Sequence, residues 1–173
     1  SNIYQYEGAI GFRNAGTGSA GNTISWSERL KIDNNGYVTK ANNPSFKAWK
    51  SGSTLTINAN TIIVYNNTSS NGAHNTGTHY NTSNGRFTAP IAGKYVFYMM
   101  HIVEGSYTNN AHHILVNGGI YSAQHFTQSG SWHGITHVAH LNLNANDYVE
   151  TRFSQNTTYY GSNWNHFSGY LVQ

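Results

Sequence analysis

The chain has 173 residues, 38% of them hydrophobic and 14% aromatic, which suits one cored domain with at most a small appendage. Only 9% are charged, against about 25% in an average globular protein. The net charge of +3 is spread over nine scattered basic residues with no clustered stripe, which excludes a nucleic-acid surface. The absence of cysteine excludes a disulfide framework and thiolate zinc sites, and no apolar run is long enough for membrane insertion.

Residues 1–43 are thin in large apolar side chains and rich in Gly and Asn, as in "RNAGTGSAGNT". Within this stretch "GTGSAG", residues 16–21, spells a dinucleotide-binding pattern. That pattern works only between a strand and a helix, and "NTISWSERL" after it is strand-like, so the segment is a loop. The alternation Ile24, Trp26, Glu28, Leu30, Ile32 predicts a strand over 24–32, ending at the turn "DNNGY". A boundary falls near Asn43 and Pro44, beyond which dense alternation begins. Strands are predicted at 45–50, 61–65, 94–104, 111–117, 134–143, 147–154 and 166–172. They are separated by turn signals such as "TSNGR", "VNGGI" and "NANDY". Many short strands spaced by such turns indicate an all-β antiparallel sandwich or barrel.

One strand breaks the usual rule. In "RFTAPIAGKYVFYMM", residues 86–100, the odd positions read Tyr95, Phe97, Met99 and the even ones Val96, Tyr98, Met100. Side chains alternate faces along a strand, so both faces are apolar, whereas an antiparallel sheet normally leaves one face polar. Something must cover the second face.

No catalytic, metal or cofactor site is expected. The six acidic residues offer one close pair, Asp147 and Glu150, which straddle a turn and face opposite ways. "GSWHG", residues 130–134, places Trp where a nucleophile elbow needs Ser. Among the ten histidines, His101, His112 and His137 each share a strand face with apolar residues, and no carboxylate or thiolate accompanies them. They are expected to be hydrogen-bonded core or interface residues rather than metal ligands.

"FTAPIAGKYVFYM" resembles the signature of the complement component 1q globular head, a tumour-necrosis-factor-like jelly roll. The signature positions are Phe87, Gly93, Tyr95 and Phe97; Met99 stands where the family usually has an aromatic. "NPSFKAW" looks like the first strand, "YNTSNGRF" the approach to the signature, "LNLNANDYV" the late hairpin and "FSGYLVQ" the closing strand. The resemblance covers residues 44–173 and implies a homotrimeric jelly-roll head. Its signature strand would meet neighbouring subunits, and Tyr95, Phe97, Met99 and His101 are assigned to that interface. Residues 1–43 lack the collagenous Gly repeat of the animal proteins. Instead "ERLKIDNNGYVTK" looks like segments that wind three chains together in bacteriophage tail fibres and other virion appendages.

The resemblance thus implies a non-enzymatic, extracellular virion head on a short β-rich stalk. Its partners would be its own copies, other fibre proteins, and a host surface glycan or protein. A structural decoration protein without receptor role, and a secreted lectin-like module, are the alternatives. The ligand is expected at two loop-like, aromatic-bearing stretches, "TQSGSWHG" (127–134) and "NTTYYGSNWNHF" (156–167). There Trp132, Tyr159, Tyr160 and Trp164 would stack on it, while Asn163, Asn165 and Ser162 supply hydrogen bonds.

Overall fold

The computed structural model describes residues 1–172, and among them every regular element is a strand. The chain divides into two compact units, Ser1–Asn43 and Pro44 onward.

The first unit is one antiparallel sheet in the order β1 (Asn2–Tyr6), β2 (Ala9–Asn14), β3 (Ser27–Ile32) and β4 (Val38–Thr39). Glu7 and Gly8 both have positive φ, 47° and 80°, the geometry of a two-residue hairpin whose twist matches its strands. The Gly-rich stretch 15–26 is loop. β3 is shorter than the predicted 24–32 and carries a bulge: Phe12 pairs with Leu30, but Arg13 pairs with Glu28. The extra residue, Arg29, moves Glu28 to the face opposite Leu30, so the alternation read through Glu28 does not persist.

The second unit contains β5 (Ser45–Ile57), β6 (His74–Thr76), β7 (Tyr80–Asn81), β8 (Arg86–Thr88), β9 (Gly93–Glu104) and β10 (Tyr107–Val116). β11 (Gly119–Gln128), β12 (His133–Leu143), β13 (Tyr148–Phe153) and β14 (Thr157–Leu171) complete it. They form two five-stranded sheets, β12-β9-β14-β5-β6 and β11-β10-β13-β8-β7, packed as a jelly-roll sandwich. Phe46, Phe87, Phe97 and Phe167 form its aromatic centre, Phe46 lying 5.0 Å from Phe87 and 4.9 Å from Phe167.

Several turns act through the residues that signalled them. Asn117 and Gly118 have φ of 50° and 82° and join β10 to β11. Residues 61–65 form no strand; Ile62 makes one isolated bridge to Arg152 while Ile63 and Tyr65 are fully buried. β11 went unpredicted because most of its side chains are exposed, so an edge strand leaves no alternating signal.

Candidate recognition face

β14 is not the loop expected over 156–167, but a strand interrupted by a large excursion. Tyr159 sits opposite Val103 of β9 and His166 opposite Met100, so the six residues 160–165 stand against only Ile102 and His101. On the other side β5 bulges with it, and a Cβ on Gly161 would lie 2.2 Å from the Gly52 carbonyl oxygen. Glycine is therefore required where the two backbones meet. Ser162 takes a positive φ of 69° within the turn.

Such an excursion pulls backbone groups out of the ladder, and they need other partners. Asn165 supplies them. Its Oδ1 accepts from Lys50 N at 2.9 Å, and its Nδ2 donates to the carbonyls of Ser162 at 2.8 Å, Tyr160 at 2.9 Å and Lys50 at 3.2 Å. Asn165 is fully buried. It is a clamp for the excursion and cannot reach a ligand, which corrects its assignment as a ligand contact. A single Asn in so Asn-rich a chain leaves no signal for this role.

The clamp sets the aromatic residues. Tyr160 stacks on Trp164 at 5.0 Å and 26°, and Trp132 meets Tyr160 edge-on at 4.9 Å. Trp132 and Trp164 keep 43% and 51% of their surface in solvent. Trp132 ends the short connection from β11 to β12, whose backbone is held by Gln128: its Nε2 donates to Gly105 O at 2.8 Å and Ser131 O at 3.2 Å. The structure thus brings three of the predicted aromatic residues together in one exposed platform. Tyr159 is different. Parity along β14 turns it inward, where it is 2% exposed and packs edge-on against His101 at 5.1 Å, so it belongs to the core and not to the ligand surface. The side chain of Asn163 lies outside the described residues. The platform stands near the end of the sheet where β9 finishes and β12 begins. Pro44 lies at the opposite end, its carbonyl accepting from Leu171 N at 2.9 Å.

The signature strand β9 also requires a correction. Tyr95, Phe97, Met99 and His101 face the sandwich interior and are 0–1% exposed, so they cannot form a subunit interface. Their ring contacts explain why: Phe87 lies 5.7 Å from Tyr95 and 5.5 Å from Phe97. The outward face belongs to the even positions, of which Val96 is already covered and Tyr98, Met100 and Ile102 are part-exposed, beside Val138 of β12 and Tyr170 of β14. Tyr98 stacks on Tyr170 at 6.4 Å, and their hydroxyl contact raises Tyr98 above the ordinary phenol range. Val138 and Tyr170 are each 43% exposed. Both faces of this strand are apolar, as read, but the interface-ready one is the even face.

The three histidines form a second cluster, inside the sandwich. His101, His112 and His137 come from β9, β10 and β12, with ring centroids 5.0 Å apart for the first pair and 5.6 Å for the second. Tyr65 Oη lies 3.2 Å from His101 Nε2, and Ser122 Oγ lies 2.8 Å from His137 Nε2. Neither ring nitrogen of His112 has a partner. Burial pushes His101 down to about 3, with the neighbouring His166 adding to the effect; burial also holds His112 well below the ordinary imidazole range. These rings are core residues in the neutral form. Among the described residues no group of three or more His, Asp or Glu is placed to hold a metal ion.

Two five-stranded antiparallel sheets in this order define a tumour-necrosis-factor-like jelly roll, with an apolar sheet face and an aromatic platform on its exterior. More narrowly, the chain belongs to the C1q domain family, which residues 45–172 match. The globular domain of zebrafish complement 1qA superposes with a TM-score of 0.61 at 16% identity, over 76% of this chain and 98% of that one. Eiger, a tumour necrosis factor from S. frugiperda, superposes with a TM-score of 0.58 at 8% identity, over 76% and 93%. No curated protein sequence matches the chain.

Proposed function

We propose that this chain is the non-enzymatic recognition head of a trimeric virion fibre, of the bacteriophage tail-fibre kind, and that it binds a host surface glycan. The observation that carries the reading is the exposed stack of Trp132, Tyr160 and Trp164 at the end of the sandwich away from Pro44. Flat, preordered aromatic faces rimmed by small polar residues suit the apolar face of a sugar ring, and they bind with little loss of side-chain freedom. Domains of this family typically form homotrimers, and the outward face around Tyr98 and Tyr170 is the apolar surface such an assembly would cover. Three heads on one axis then add avidity to a weak single site. The low charge and Asn-, Ser- and Thr-rich surface support an extracellular fibre whose binding changes little with salt.

The test is a glycan array and a whole-cell binding screen with the full chain, alongside Trp132→Ala and Trp164→Ala. Each substitution is expected to weaken binding by about tenfold or more, the usual effect of a truncated aromatic anchor, with nearly unchanged thermal stability. Normal binding by both variants overturns the site. Labelling particles with an antibody to the chain tests the virion assignment, which fails if no fibre is decorated.

A further inference from the structure

The N-terminal sheet has one face finished by its own side chains and one face left bare. On the finished face the Tyr4 ring lies over Gly11, where a Cβ would come within 2.3 Å of it. The Arg13 guanidinium sits 4.8 Å from both the Tyr4 and Trp26 ring centroids, and the Tyr4 hydroxyl donates to Glu28. The other face follows from the register. Ile3 pairs with Phe12 and Phe12 with Leu30; Ile10 pairs with Ile32 and Ile32 with Val38. These six side chains share one face, on which the ladder also places Gln5, opposite Ile10, and the pair Asn14 and Ser27 at one end, where Arg29 donates to Asn14 Oδ1 at 2.7 Å. Ile3 and Val38 are 67% and 59% exposed.

We infer that this bare face is a seam closed by the same face of other copies of the chain. The inference rests on the trimeric reading of the head and names the surface by which the stalk would join it. Ala9 is the one buried hydrophobic residue of the 43-residue unit, too little for a two-layer core of its own. The cover must therefore be present whenever the chain folds, a condition that other copies meet and an occasional partner does not. Six neighbouring apolar side chains resemble a core cut in half, as in obligate homo-oligomers. A trimeric head would gather three such sheets at its Pro44 ends at high effective concentration.

The chain has no cysteine, so single thiols report on the seam cleanly. Phe12→Cys and Val38→Cys place a thiol on the bare face, and Lys31→Cys, paired with Gly11, on the finished one. Val38 is exposed at a sheet edge, so its substitution spares the fold even if that of Phe12 does not. Each full-length variant is treated with a short bismaleimide after its mass is measured by light scattering. The seam predicts a trimer in which Phe12→Cys and Val38→Cys give linked pairs at twice the 19.1 kDa chain mass, while Lys31→Cys stays single. A trimer with neither seam variant linked, or with all three linked equally, overturns the seam and leaves the trimeric head standing. Thiols that react with nothing in an unlinked trimer assign the cover to the chain's own head, which also overturns it. A monomer by light scattering overturns both readings.

Discussion

Lowering the pH from 7 to 5 is expected to cost the head about 2 kcal/mol through the buried His101 imidazole alone, with His112 adding to the loss in the same direction. His101 and His112 are fully buried, and burial holds the first at about 3 and the second well below the ordinary range. In the unfolded chain both titrate near 6.5. The unfolded state therefore binds more protons in this window, and stability falls as pH drops from 6.5 towards 3. Between pH 7 and 5 each histidine that stays neutral in the folded state contributes a loss of about 1.9 kcal/mol. That figure depends only on the folded value lying below 5. His137, His113 and His166 shift in the same direction through partial burial and add to the loss. The charged groups acting on this set are few: Arg152 faces His113, and Lys47 faces His166. Only six carboxylates are present, so acid protonation above pH 5 offsets little. His112→Phe isolates the effect. The imidazole already stacks on Phe153 at 4.9 Å, and both of its nitrogens lack partners, so a phenyl ring fits chemically. The variant is expected to gain about 1 kcal/mol at pH 7, from removing an unsatisfied buried donor. It is also expected to shed part of the acid loss, so that its stability falls less steeply between pH 7 and 5. Urea unfolding at pH 7, 6 and 5, at fixed chain concentration, measures both. Equal stability at pH 7 and 5 in the unmodified protein, or an unchanged pH slope in His112→Phe, refutes the reasoning.

The clamp and the outer face are open to simpler tests. Asn165→Ala leaves several backbone groups of the excursion without partners and is expected to cost about 3 kcal/mol; it also disorders the ring stack, so the melting temperature and tryptophan emission should change together. Tyr98→Asp on the outward face should convert a trimer to monomers by light scattering, because each buried unpaired carboxylate costs several kcal/mol; a trimer that persists at micromolar concentration refutes that face as the interface. Tyr159→Ala should cost about 3–5 kcal/mol of stability as a truncated core aromatic, while binding of the folded fraction is retained, the reverse of the pattern for Trp164→Ala.

Local chemistry was legible wherever a residue acts through its own backbone or its immediate neighbours. The Asn117–Gly118 hairpin, the alternation of β9 and β12, and the burial of His101, His112 and His137 all follow from period-two patterning and turn residues. The resemblance carried by Phe87, Gly93, Tyr95 and Phe97 reached the fold itself. Parity told that both faces of β9 are apolar, but not which one looks inward, because either choice satisfies a doubly apolar strand. Only the packing of Phe87 against Tyr95 and Phe97 decides it. The same limit applies to β14. Six residues standing against two cannot be read from a polar, Gly-containing string, since the excursion exists only through the meeting of Gly161 with Gly52 and the Asn165 clamp to Lys50, 115 residues away. Contacts at that separation turn Tyr159 into core and bring Trp132, Tyr160 and Trp164 together, because they depend on where three distant strands end rather than on any spacing along the chain.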